Sequence, residues 1–326
     1  GLSSIVATLK VDLKKGAADD AENSDLFGTS VAVSGDYAIV GAPGENQAGS
    51  IVINYMTYPC GAAYVLHRTG DNTWGEAFKL VPPTADYANA GTSVSISGDY
   101  AIVGAPMSLG FDESCYPVFC ECAGPGAVFI YHRTGTNTWE CVDTIDASDG
   151  ANYDSFGNSV SISGTSAIVG APGNEAAYVF VRNIIGGWEQ TKKLVASDSQ
   201  GGDRFGTSVA ILSKKSGPVG TTIRAIVGAP CEDEAGSDSG AAYIFSKDLA
   251  GSWSTGTKIT ATDPGAGDNF GASVAISSSY CIIGAPYEDG EGTDTNYGAA
   301  YIYGSSIMTK IVASVPGSND NFGSSV

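Results

Sequence analysis

The feature that most constrains this chain is a motif pair that returns in phase. The stretch from Phe27-Gly28 to Gly41-Ala42-Pro43 recurs from Ala90-Gly91 to Gly104-Ala105-Pro106 and from Phe156-Gly157 to Gly170-Ala171-Pro172. It recurs again from Phe205-Gly206 to Gly228-Ala229-Pro230 and from Phe270-Gly271 to Gly284-Ala285-Pro286, and a sixth copy opens at Phe322-Gly323. Spread over five intervals, Gly28 to Gly323 gives a period of about 59 residues. Self-similarity at a fixed period means one supersecondary unit repeated, with its core shared between neighbours.

Each period reads as four strands. Thr29–Ser34 alternates apolar and polar residues, Gly35-Asp36 is a two-residue hairpin turn, and Tyr37–Val40 is a second, more continuously apolar strand. Gly61-Ala62-Ala63-Tyr64 opens a third strand and returns as Gly126-Ala127-Val128-Phe129, Glu175-Ala176-Ala177-Tyr178, Gly240-Ala241-Ala242-Tyr243 and Gly298-Ala299-Ala300-Tyr301. A fourth strand covers Trp74–Val81, and all four Trp (74, 139, 188, 253) fall at this one repeat position. Four-stranded antiparallel units at this period predict an all-β chain of radial blades, a β-propeller. The small residues of the two motifs are expected where inner strands crowd the axis. The recurrent Trp and Tyr are expected to wedge between blades as core.

The motif pair resembles the FG-GAP repeat of the integrin α-subunit propeller, and is closer still to the shorter variant found in many surface and secreted proteins. The resemblance covers nearly the whole chain. It implies one incomplete propeller over residues 1–326, with repeats starting near 27, 90, 156, 205, 270 and 322. Five blades are complete and two partial; the integrin precedent gives seven, with six the alternative. Residues 1–26 carry the outer strand of a preceding or closing blade, since Ile5–Leu13 matches outer strands such as Lys193-Leu194-Val195-Ala196, while 322–326 matches an inner first strand. A blade holding both would lack its middle strands, so either the chain is shortened or a partner completes that blade. The chain opens Gly1-Leu2-Ser3 without Met or a signal-peptide pattern, as expected of a processed or shortened chain.

Charge points to function. Asp and Glu number 35 against 16 Lys and Arg, a formal −19 that repels nucleic acid and anionic membranes. In an antiparallel meander the 2–3 and 4–1 loops share one end, and most acids fall there: Asp149, Asp154, Asp198, Asp203, Asp263 and Asp268 among them, with Arg204 the basic exception. The opposite loops carry Asp36, Asp71, Asp99 and Asp248 against Arg68, Arg133, Arg182, Lys214, Lys215, Arg224 and Lys247, which leaves that face mildly basic. Part of the acid is expected to serve turns, above all the Asp two residues before Phe-Gly (Asp25, Asp154, Asp203, Asp268, Asp320). The clusters Glu232, Asp233, Asp238 and Glu288, Asp289, Asp294 offer hard oxygen ligands for calcium. The integrin calcium loop lies between Phe-Gly and Gly-Ala-Pro, where this chain has a bare turn or the Lys214–Arg224 insert, so the family's ligands do not carry over.

Of seven Cys, Cys60, Cys115, Cys120, Cys122 and Cys141 are disulfide candidates for an oxidising compartment, and Cys281 reads as a small core residue. His67 and His132 share one repeat position and read as turn residues. No nucleophile, P-loop or zinc-protease motif appears. The expectation is a non-catalytic, extracellular or cell-surface adhesion module. Its acidic loops would engage protein or glycan, with calcium as the one cofactor to consider and no nucleic acid or membrane insertion. The alternative is a structural subunit of a filament, sheath or surface layer, built by face-to-face stacking or blade completion. The Cys-rich insert at 107–125 is the first place to look for a specific partner.

Overall fold

The computed structural model describes residues 24–46, 49–53, 56–71, 73–75, 77–84, 86–112, 120–216, 220–289 and 296–326. The outer strand expected at the N-terminus lies outside these residues, apart from 24–26. Five antiparallel sheets follow one another as propeller blades. Blade 1 is Val31–Ser34, Tyr37–Ala42, Ala62–Gly70 and a split fourth strand, Thr73–Trp74 and Phe78–Leu80. Blade 2 is Ser93–Ser97, Tyr100–Ala105, Ala127–Gly135 and Thr138–Ile145; blade 3 is Ser159–Ser163, Ser166–Ala171, Ala176–Arg182 and Trp188–Leu194. Blade 4 is Ser208–Lys215, Thr221–Ala229, Ala241–Lys247 and Thr257–Ile259; blade 5 is Ser273–Ile276, Cys281–Ala285, Ala299–Gly304 and Ile307–Ile311. No helix among the described residues is long and apolar enough to cross a membrane.

The core is a series of slabs between blades. Ile39, Val65 and Leu80 of blade 1 pack with Val94, Val103 and Phe129 of blade 2. Ile102 and Ile130 of blade 2 pack with Phe156, Val169 and Tyr178 of blade 3. The same pattern continues between blades 3 and 4 and between blades 4 and 5. Burial of these apolar faces, at roughly 25 cal/mol per Å², is what the repeat gains from its neighbour.

The motif pair forms the seams between slabs. Within a blade, the Phe-Gly glycine donates its N–H to the carbonyl of the Gly-Ala-Pro glycine: Gly28 to Gly41 at 2.9 Å, Gly157 to Gly170 at 3.1 Å, Gly206 to Gly228 at 3.0 Å. Between blades, the serine two residues after that glycine donates to the next blade's Phe-Gly carbonyl. Ser30 reaches Gly91, Ser93 reaches Gly157 and Ser159 reaches Gly206 (each 2.8 Å), and Ser208 reaches Gly271 at 2.7 Å. A Cβ on Gly41, Gly104, Gly170, Gly228 or Gly284 would collide with that same carbonyl. Glycine is therefore demanded by the backbone of the adjoining blade, more than by crowding at the axis.

First strands are also laced together. Ser95 and Ser97 Oγ accept the N–H of Ile162 and Gly164 (3.2 and 3.0 Å), and Ser161 and Ser163 accept those of Ile211 and Ser213 (3.2 and 3.1 Å). Aromatic wedges close the outer side. Trp139 meets Tyr37 of blade 1 edge-on, and Trp188 meets Tyr100 of blade 2 in the same way. His67 and His132 lie on those same tyrosines within their own blades. Arg133 and Arg182 of the following blades sit over the rings, 4.5 and 4.2 Å from the centroids. Both histidines thus belong to packing.

Candidate functional site

The acidic face is built from a repeated polar cluster that spans three segments. Cross-strand register places the third-strand Tyr opposite a fourth-strand Lys: Tyr64 and Lys79, Tyr178 and Lys193, Tyr243 and Lys258, Tyr301 and Lys310. An Asp from the preceding 4–1 loop joins them. Tyr178 donates to Asp149 at 2.8 Å, Tyr243 to Asp198 at 2.9 Å and Tyr301 to Asp263 at 2.9 Å. The lysines bind the other oxygen of the same carboxylates at 2.6, 2.6 and 2.7 Å. A Glu following the Gly-Ala-Pro turn completes the cluster: Glu45 with Lys79 at 3.0 Å, Glu232 with Lys258 at 2.9 Å and Glu288 with Lys310 at 2.5 Å. In blade 3 the equivalent Asn174 donates to the Tyr178 hydroxyl instead.

Electrostatics follow from this geometry. Hydrogen bonds from Lys193 and Tyr178 hold Asp149 below the usual carboxylate range. Burial alone would raise Asp198 and Asp263, but their Lys and Tyr partners outweigh it and hold both low. Burial raises Asp203, Asp268 and Glu288. Blade 4 has the most acidic cluster, because Glu234 also reaches Lys258 at 2.5 Å.

The calcium candidates fare unequally. Glu232 and Glu288 turn inward and are 3% exposed. Asp233 accepts the N–H of Asp238, and Asp289 that of Asn296, both at 2.7 Å, so each closes its own loop. Asp294 lies outside the described residues. Among the described residues, the carboxylates close enough to share a metal are Asp198, Glu232 and Glu234, and the Lys258 ammonium lies among them. Alignment of the repeats could have exposed this cluster, since Glu45, Glu232, Glu288 and the four lysines recur in phase; a search for acidic runs passes over it. The turn role of the Asp before Phe-Gly holds: Asp154, Asp203, Asp268 and Asp320 each accept an N–H three residues upstream at 2.7–2.8 Å.

Of the disulfide candidates, Cys60 is buried in the blade 1 loop, and Cys141 is a free thiol on the outer strand of blade 2. Cys115 lies outside the described residues, as do the side chains of Cys120 and Cys122. Cys281 is buried in the core, as expected.

Over blades 1 and 2 the same face carries an added platform. The blade 1 loop forms a hairpin, Ser50–Ile53 with Met56–Pro59. The blade 2 loop pairs Met107–Asp112 with Cys120–Ala123 and with Tyr87–Ala88. Ile51 and Ala88 are buried between the two pieces against Tyr58 and Met107. Beside the platform opens a cavity of 660 Å³ lined by Leu26, Pro43, Pro59 and neutral polar residues including Thr57 and Asn89.

The repeat architecture agrees with comparison to known proteins. No curated protein matches the sequence. A solved structure described as a functionally unknown protein from Desulfotomaculum acetoxidans DSM 771 is similar, with 11% identity over 89% of this chain and 67% of that one, and a TM-score of 0.45. The family model for the FG-GAP repeat matches residues 12–66, 139–180, 188–245 and 253–303, well over half of the sequence. With the Phe-Gly and Gly-Ala-Pro glycines joined at every described seam, the chain belongs to the FG-GAP repeat family.

Proposed function

We propose that this chain is a non-catalytic, extracellular binding module that engages protein or glycan partners through its acidic loop face. The observation that carries this is the platform over blades 1 and 2. Its strands add nothing to either blade's sheet, yet they bury their own apolar residues and stand on one face only. Loops elaborated on a rigid scaffold are where recognition concentrates. The acidic surroundings favour lysine-rich or neutral partners over sulfated ones.

The test replaces Met107–Ala123 with the short blade 3 connection, Gly173-Asn174. Binding of both proteins to lysine-rich peptides and to neutral and sulfated glycans is then measured, with and without millimolar calcium. The reading expects binding by the parent chain, loss in the trimmed chain and a melt that stays cooperative, its midpoint lowered only by the Met107 contacts given up. Equal binding by the two would sink it. A requirement for calcium would make the contact cation-bridged.

A second reading, self-assembly into a filament or layer, is favoured by the opposite face. Ile184 and Ile185 stand there fully in solvent.

A further inference from the structure

Ile184 and Ile185 are the two most exposed large hydrophobic residues among those described, at 104% and 89%. They form the tip of the blade 3 hairpin between its third and fourth strands. The fold does not require them there. The equivalent tips in blades 1 and 2 are polar, Gly70-Asp71-Asn72 and Gly135-Thr136-Asn137.

The tip is rigid for reasons independent of its apolar side chains. Asn183 Oδ1 accepts the N–H of Ile185 and of Gly187 at 3.1 and 3.0 Å, and its Nδ2 donates to Glu189 at 2.7 Å. The Asn183 N–H is bound by the Gly187 carbonyl at 2.9 Å, and Gly186 takes a φ of 101° that favours glycine. A stiff hairpin therefore holds two isoleucines out in water. Side by side at one tip, the two isoleucines form a contiguous apolar spot of the kind that interaction surfaces use.

The same face carries Lys214 and Lys215, exposed and without an ion pair among the described residues. The opposite face carries the acidic loops and the 660 Å³ cavity, whose wall includes Leu26, Pro43 and Pro59. Leu26 is 61% exposed. Knob and cavity thus lie on opposite faces of one molecule, and the faces differ in charge.

We propose that the Ile184–Ile185 knob of one copy seats in the Leu26–Pro43–Pro59 cavity of a second copy, joining faces of opposite charge. The proposal rests on the self-assembly reading and names its interface. Because two different surfaces meet, the contact is heterologous, and repetition extends it into a stack. Attraction between exposed charges weakens with salt, whereas the knob contact does not depend on it in that way.

Sedimentation velocity over a concentration series tests this with three proteins: the parent chain, the double variant Ile184→Ser/Ile185→Ser, and Thr57→Arg, which puts a guanidinium into the cavity. Ser at the tip leaves the Asn183 bonds intact, so the double variant is expected to keep the parent melting temperature. The parent should form oligomers that lengthen with concentration and shorten as salt rises. Each variant should raise the dissociation constant at least about tenfold. Mixed one to one, the two variants should form dimers and stop, since each keeps one half of the contact. Association unchanged in the double variant would overturn this interface while leaving self-assembly standing. A monomeric parent at every concentration would overturn both. A parent that stays monomeric but sediments with phosphatidylserine vesicles would assign the knob to a membrane surface and overturn the proposal as well. The binding reading is judged separately, on the platform-trimmed chain.

Discussion

Blade 2 and blade 4 solve the same packing problem with opposite chemistry. In blade 4, Phe205 of the Phe-Gly pair meets Tyr243 edge-on at 5.4 Å, and the tyrosine hydroxyl is tied into the Asp198, Lys258 and Glu232 cluster. Blade 2 has Ala90 where that Phe belongs, Phe129 where the Tyr belongs and Thr144 where the Lys belongs. The missing ring comes from the platform: Tyr87 meets Phe129 edge-on at 5.2 Å. Removing the hydroxyl at the third-strand position removes the need for a carboxylate and an ammonium to satisfy it. The difference teaches that the polar cluster is a dispensable module, and that the loop face is free to be rebuilt where it is absent.

The seam, which both blades share, sets the upper limit of expected damage. Gly228→Ala would force a methyl into the Gly271 carbonyl, and Gly104→Ala into that of Gly157. Each should lose at least about 4 kcal/mol or fail to fold, as read by chemical denaturation. Tolerance of one and not the other would mean that the blades do not share a seam after all.

Next in size is Lys258→Met, which leaves Asp198, Glu232 and Glu234 without their common cation. It should cost about 3 kcal/mol at neutral pH, because Glu232 is buried and its partner is gone. Lys193→Met exposes a single, half-exposed carboxylate and should cost about 1 kcal/mol or less. The pH profile sharpens the contrast. In the parent, the lowered Asp149, Asp198 and Asp263 contribute stability that is present above 3.8 and lost as pH falls through their depressed values. Asp203, Asp268 and Glu288, raised by burial, act the other way: their contribution is greatest at acid pH and lost as they ionise. Thermal melts should therefore show maximum stability on the acid side of neutrality. The Lys258→Met deficit should shrink toward acid pH, where Asp198, no longer held low by the lysine, can take a proton.

The smallest expected effect, Tyr87→Phe in blade 2, stands beside a larger one at the same position. Tyr87→Ala should cost about 2 kcal/mol by emptying the space beside Phe129, whereas Tyr87→Phe should be nearly silent. A Phe variant as damaged as Ala would show that the hydroxyl matters, and would bring blade 2 closer to blade 4 than its sequence suggests.

The motif glycines, the turns at Gly35-Asp36 and the Trp positions could be read from the chain because they repeat and act locally or against an identical neighbour. The second strand, expected at Tyr37–Val40, runs on to Ala42, and the fourth strand expected over Trp74–Val81 is interrupted after Trp74. In the acidic clusters, adjacency in sequence is not grouping in space. Glu232 and Asp233 are neighbours in sequence, yet one is buried against Lys258 and the other closes a loop. Tyr87 was invisible for the same reason, since a ring three residues upstream of a motif carries no sign that it fills the motif's place.

The seam has one further consequence, for how such a chain can change over generations. Its bonds run through main-chain amides, two glycines and a serine, and none of them records which blade stands on which side. In blade 3 the motif even survives loss of the glycine before the third strand: Glu175 stands there, and its carboxylate takes up the N–H groups of Gly202, Arg204 and Phe205 at 2.7–3.0 Å. A coupling of uniform gauge lets units be duplicated, exchanged or re-ordered without re-fitting their neighbours. Novelty can then accumulate in one unit's loops, as it has over blades 1 and 2, while the joints between units stay the same.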